Sequence, residues 1–282
     1  MNLKTFYKIY YQHRVKKSSF IYKIYLITFL PLNYIINKLL LQPIIDLDHL
    51  KKKNPDLEKK DLNFLFQFFN SDKGDYFFNQ YQKPINQNKK LIKGHSYHLF
   101  YEKYFSNKKN NNIDLLEIGS FKGNASAAFF FYFPKLFIMS GDIFPDLFRY
   151  KSKKINNFYM DNSKTTELQN KILNHNLTFD IIIEDAGHYF KDQIITLFFL
   201  FKSLKPKGIF VIEELEFPNT RDDMNIHKEK PTLRDILELI NNNKDFQSKY
   251  ITENQKKYFL ENYESINIHK GSSSQIAFIT KK

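Results

Sequence analysis

Ile113-Asp114-Leu115-Leu116-Glu117-Ile118-Gly119-Ser120-Phe121-Lys122-Gly123 is the stretch on which the fold turns. An apolar run ends on one glycine, a second glycine follows within a turn, and residues 124–133 then read as a helix rich in Ala and Phe. A βαβ unit opens in this way, because a strand covered on both faces must reverse sharply to lay a helix over itself. Gly119 permits the sharp turn. Gly123 lets backbone approach a ligand at the helix start, where free N–H groups favour a carboxylate. The spacing is not G-x-G-x-x-G, which counts against a nicotinamide dinucleotide.

Working outward, residues 135–142 and 157–159 read as further strands, and Phe179-Asp180-Ile181-Ile182-Ile183-Glu184 as a β-branched central one. A helix is expected over about 191–204 and the next strand over 208–213. Runs this continuously apolar belong inside a parallel sheet with both faces covered. Another helix is expected over 231–239. Residues 264–269 and 275–281 flank Gly271-Ser272-Ser273-Ser274, the pattern of a terminal antiparallel hairpin. The expected fold is therefore α/β, a Rossmann-like core with a parallel sheet and a C-terminal hairpin, starting near residue 112 within a domain over 61–282.

Acidic residues stand where these strands end. Asp142, in Ser140-Gly141-Asp142-Ile143, can accept hydrogen bonds from both hydroxyls of a ribose, and Asp161, in Met160-Asp161-Asn162-Ser163, falls near the place of an adenine. The alternative for each is a plain loop-starting Asp. With the turn from Glu117 to Gly123 receiving a carboxylate at the helix start, these positions suit S-adenosylmethionine, whose methionine part carries one; the alternative for the glycine motif is a plain turn between strand and helix. Further on, Asp185 ends one central strand and Glu213-Glu214 end the next. If those strands are parallel neighbours joined by one right-handed crossover, three carboxylates converge. A hard divalent cation such as Mg²⁺ relieves their repulsion and leaves positions open for water or substrate oxygens. His188, three residues past Asp185, suits a general base at neutral pH, with a metal ligand and a capping or core histidine as alternatives.

Bulk composition adds limits. The chain has 282 residues, 42% hydrophobic and 26% charged, enough for one large core or two modest ones. Its formal net charge of +13 raises nucleic acid or anionic lipid as partners, but the lysines are scattered through loops and tails without one dominant cluster, which argues against a dedicated nucleic-acid track. There is no cysteine, so any metal is held by O or N ligands, and a cytoplasmic setting is permitted. Residues 1–60 are basic and aromatic. They suit amphipathic helices, either a cap on the catalytic domain or a peripheral contact with the inner face of a membrane. The apolar stretch over 20–41 is broken by Lys23, Pro31, Asn33, Asn37 and Lys38, a poor signal peptide and a poor membrane span.

From about Ser71 to the C-terminus the chain resembles the metal-dependent sugar O-methyltransferases of macrolide biosynthesis, the macrocin and mycinamicin type, with cephalosporin hydroxylase-like relatives. The resemblance rests on Ser71-Asp72-Lys73-Gly74 with His95-x-Tyr97 and Tyr101, Leu116-Glu117-Ile118-Gly119, Gly141-Asp142-Ile143, Asp185-x-x-His188, and Leu204-Lys205-Pro206-Lys207-Gly208 leading into Ile212-Glu213-Glu214-Leu215. It implies Mg²⁺ on Asp185, Glu213 and Glu214, His188 as base, Lys73 and Tyr97 beside S-adenosylmethionine, and a hydroxyl of a sugar or glycosylated small molecule as acceptor. Ala186 stands where Gly is usual, Glu214 where Asp is usual, and Asn124-Ala125 where Gly-Ser is commoner. The acceptor pocket is expected from residues 76–94 and 217–230. The rival readings are an RNA methyltransferase and a catalytically silent cofactor-binding scaffold. A homo-oligomer is compatible with all three.

Overall fold

The apolar runs pair side by side, since each can bury both faces only by sitting between neighbours. The chain is described here by a computed structural model over residues 7, 15, 19–40, 44–78 and 90–282. Its main sheet has seven strands: β1 (Ile113–Ile118), β2 (Leu136–Asp142), β3 (Ile155–Tyr159), β4 (Phe179–Glu184), β5 (Leu204–Ile212), β6 (Tyr263–Lys270) and β7 (Gln275–Lys281). They lie in the order β3-β2-β1-β4-β5-β7-β6. The first five are mutually parallel, and β7 runs antiparallel to both β5 and β6. The fold is thus the mixed α/β arrangement expected, with its terminal hairpin on the sheet edge.

Among the described residues ten helices have seven residues or more: α1 (Phe20–Thr28), α2 (Leu30–Leu40), α3 (Leu47–Lys53), α4 (Leu62–Phe68), α5 (His98–Phe105), α6 (Asn124–Tyr132), α7 (Thr165–Lys171), α8 (Phe190–Leu200), α9 (Leu233–Asn241) and α10 (Glu253–Asn262). Side chains alternate across the pleat, so each strand feeds two cores. Leu115, Ile181, Ile183 and Val211 face an aromatic layer that includes Phe66, Tyr101, Phe105 and Phe129 from α4, α5 and α6. Leu116, Ile182, Phe210 and Ile212 face the opposite layer, with Leu168, Ile194, Leu237 and Phe259 from α7, α8, α9 and α10. From Ala125 onward α6 is buried all round, which its unbroken apolar composition requires.

The element over 253–262 had no place in the sequence reading. Its start is nevertheless written locally, since Thr252 and Gln255 form a reciprocal capping box. β5 begins earlier than residue 208, because Leu204 already pairs with Phe179 ahead of a register shift. Residues of the N-terminal segment divide: Leu47 and Leu57 join the aromatic core, whereas Leu26 packs with Val15, Tyr7, Leu30 and Tyr34 in a small separate cluster. No helix among the described residues is long and apolar enough to cross a membrane.

The chain order places β2 and β3 on one side of β1 and β4 and β5 on the other. Ligands of such sheets bind at this reversal, outside the carboxyl ends of the strands. The ends are level, Ile118 standing opposite both Gly141 and Glu184, and Glu184 opposite Ile212.

Candidate active site

A cavity of about 720 Å³ opens at that reversal, lined from Ser71 to Lys73, from both glycine-turn flanks, and from the tips of β1, β2, β4 and β5. Its size is in the range of small-ligand sites. On one side the chain completes itself. Gly119 has φ +93°, and a Cβ there would stand 1.9 Å from the carbonyl oxygen of Asp185. The residue is glycine so that the tips of β1 and β4 can close, with Asp185 N–H donating to Ile118 O at 2.8 Å. Gly123, φ +79°, caps α6, and a Cβ there would strike the ring of Phe148 at 2.5 Å. The close approach at Gly123 is therefore made by Phe148, and Gly123 itself does not line the cavity.

Asp142 ends β2 with both oxygens engaged: Phe121 N–H donates to Oδ2 and Phe144 N–H to Oδ1, each at 2.7 Å. Burial pushes its pKa up. A carboxylate has about four lone-pair directions, so a pair of hydroxyls can still be accepted. Glu117 is buried at the end of the first strand, receives a short hydrogen bond from the Ser126 hydroxyl, and is pushed by burial to about 7. Asp161 lines the same cavity, accepting from the Ser163 hydroxyl at 2.5 Å and pairing with Lys164 at 2.7 Å.

The other side gathers charge from distant segments. Lys73, 1% exposed, places its ammonium 2.5 Å from Asp185 Oδ2 and 2.6 Å from Glu213 Oε2. The Tyr101 hydroxyl donates to the second oxygen of Glu213. Lys73 thus stands as a counter-ion within the acidic group, a place the sequence reading did not give it. Glu214 is buried and adopts φ +46°; its Oε1 lies 3.2 Å from His95 Nε2 and its Oε2 3.6 Å from His188 Nε2. His188, φ +53°, puts the same nitrogen 3.8 Å from Asp185 Oδ1. Left-handed backbone at two bulky residues costs on the order of 1–3 kcal/mol each and persists where surroundings fix it.

Ligand-type atoms of Asp185, His188 and Glu214 lie within 4.8 Å of one another, the one such trio among the described residues. Glu213 falls outside it, held back by Lys73 and Tyr101, and His188 stands in the position the sequence reading gave to Glu213. Burial raises Asp185, raises Glu213 to about 8, and raises Glu214 well above a normal carboxyl. Burial, then the Lys73 ammonium, lowers His188 to about 3, so its ring is neutral and carries a free lone pair. Glu214 Oε2 and His188 Nδ1 are buried with no hydrogen-bond partner among the described residues. Three carboxylates against one ammonium leave two negative charges when ionised. The unpartnered Glu214 oxygen, and that double negative charge in the ionised state, fit a divalent cation.

Tyr97 is fully buried away from the cavity. Its hydroxyl donates to Gln275 O at 3.1 Å and accepts from the Glu214 N–H at 3.4 Å, so it steadies Glu214 from behind. His95, quoted above only as part of a motif, contacts Glu214 directly. Arg221 at the cavity mouth lies over the Phe217 ring at 4.9 Å and pairs with Asp223; no local pattern in the sequence marks it.

The parallel core, the strand order and the edge hairpin together define the class I methyltransferase fold. Among solved structures, similar ones are those of the MycE methyltransferase from the mycinamycin biosynthetic pathway. In complex with Mg, SAH and mycinamycin VI it is 20% identical, with a TM-score of 0.58 over 79% of this chain and 54% of that one. A crystal form with Mg and SAH is also 20% identical, TM-score 0.56, over 79% and 55%. This chain spans about half the length of that protein. No family model and no curated protein matches.

Proposed function

We propose that this protein transfers a methyl group from S-adenosylmethionine to a hydroxyl of a sugar or a glycosylated small molecule, with a divalent cation such as Mg²⁺ in the site. The observation that carries the reading is the Asp185, His188 and Glu214 trio, with ligand-type atoms within 4.8 Å of one another, at the strand-order reversal of a methyltransferase fold. The Mg and SAH named for the MycE complexes support it.

On this reading Gly119, Glu117, Asp142 and Asp161 seat the donor on the completed side of the cavity. Asp185 and Glu214 would hold the cation, with Glu213 kept in reserve by Lys73. The cation supplies a lowered hydroxyl pKa and a fixed orientation for the acceptor. His188, neutral beforehand, would take the hydroxyl proton at Nε2 and become imidazolium, which then passes the proton to solvent. S-adenosylmethionine, when bound, would supply the methyl carbon to the acceptor oxygen, its carbon–sulfur bond breaking to leave S-adenosylhomocysteine. Two reactants held in line gain most of their rate from that orientation.

The test is methyl transfer from labelled S-adenosylmethionine to a panel of glycosides and to RNA, with Mg²⁺ or with EDTA. Transfer to a glycoside, lost in EDTA and reduced about 10³-fold in Asp185→Asn, is expected, as loss of several kcal/mol of metal assistance implies. Full activity in EDTA removes the metal from the mechanism. Transfer to RNA alone replaces the acceptor class.

A further inference from the structure

Twelve of the large apolar side chains exposed among the described residues fall between Phe20 and Ile45. On α1, Phe20, Ile21, Tyr22, Ile24, Tyr25 and Ile27 are each at least half exposed, and only Leu26 is buried. At 100° per residue those six positions run round most of the helix. On α2, Leu32, Ile35 and Ile36 continue the same surface. An exposed apolar face this broad, with Lys23 in the remaining sector, suits a lipid interface better than a single protein groove.

Charge narrows the medium. Before Asp46 the sequence has Lys4, Lys8, Arg14, Lys16, Lys17, Lys23 and Lys38 and no acidic residue, +7 of the chain's +13. Two copies of such a segment repel each other. An anionic lipid surface attracts both features at once, the cations to its headgroups and the aromatic and aliphatic side chains to its acyl boundary. α1 and α2 follow one another with only Phe29 between them, about 30 Å in sum at 1.5 Å per residue, but Lys23, Pro31 and Asn33 interrupt the run, and no helix among the described residues is long and apolar enough to cross a membrane.

We infer that α1 and α2 form an in-plane docking surface for an anionic membrane, holding the catalytic domain at the lipid interface. Its test is sedimentation of the full chain with phosphatidylcholine vesicles, with and without phosphatidylglycerol. Binding is expected only with phosphatidylglycerol, weakened by high salt and by roughly fivefold for each charge removed in Lys16→Ser/Lys17→Ser. The triple variant Ile21→Ser/Ile24→Ser/Ile27→Ser should abolish binding while leaving thermal unfolding of the domain unchanged. Should the triple variant fail to fold, the lysine pair alone decides. Equal binding to both vesicles, no binding to either, or binding that survives both variants overturns the inference. So does a stable dimer without vesicle binding that the triple variant dissociates.

Discussion

At the tip of β2, Asp142 has each oxygen accepting a backbone N–H, while just past β5 Glu214 keeps a buried oxygen with no hydrogen-bond partner among the described residues. The two carboxylates line one cavity and end neighbouring halves of one sheet. On the Asp142 side, turn and strand satisfy themselves from local backbone. On the Glu214 side, Lys73, Tyr101, His95 and His188 arrive from separate segments and still leave one oxygen unpartnered and, once the carboxyls ionise, charge uncompensated. A buried group lacking partners is costly, so the second half is arranged for something that completes it. The contrast separates a half that holds the donor as it stands from a half that is finished by a cation.

The contrast breaks most visibly at Lys73. Lys73→Met removes the ammonium between Asp185 and Glu213, and breaking a buried pair costs about 3–5 kcal/mol. Urea unfolding without metal should show that loss, largest at high pH where the carboxyls ionise, and Mg²⁺ should restore more stability to the variant than it adds to the native protein. Unchanged stability would show that the acidic half is not strained by its charge.

A smaller effect sharpens the other half. Glu117 has a folded pKa raised by burial from 4.5 to about 7, so the folded state binds its proton more tightly than the unfolded state. That contribution is complete below pH 4.5 and disappears as pH rises through 7, a change of about 3 kcal/mol at most. Glu117→Gln should flatten the fall in melting temperature between pH 5 and pH 8, by the loss of that titration. An identical pH profile in the variant would mean the carboxyl is not held protonated by its surroundings.

The same division governs what the sequence disclosed. β1 and β4 are readable to the residue because an apolar run with a polar tip is local information, and Gly119 and Asp185 follow from where those runs stop, as Asp142 and Glu213-Glu214 do from the ends of β2 and β5. The convergence of Asp185 and Glu214 needed only strand adjacency, which crossover rules supply. The ammonium of Lys73 comes from 112 and 140 residues away, and no periodicity records such a meeting. Gly123 and Tyr97 show the converse. A ligand is expected beside Gly123 from its residue type and beside Tyr97 from the family resemblance, and the structure sets the Phe148 ring against the first and the Glu214 N–H against the second.

Calorimetric titration of Mg²⁺ into the full chain with S-adenosylmethionine present tests the central claim most directly. The account predicts one cation bound per chain with release of protons from the raised carboxyls, and loss of that binding in Glu214→Gln. No heat of binding, or the same binding in Glu214→Gln as in the native chain, would contradict it.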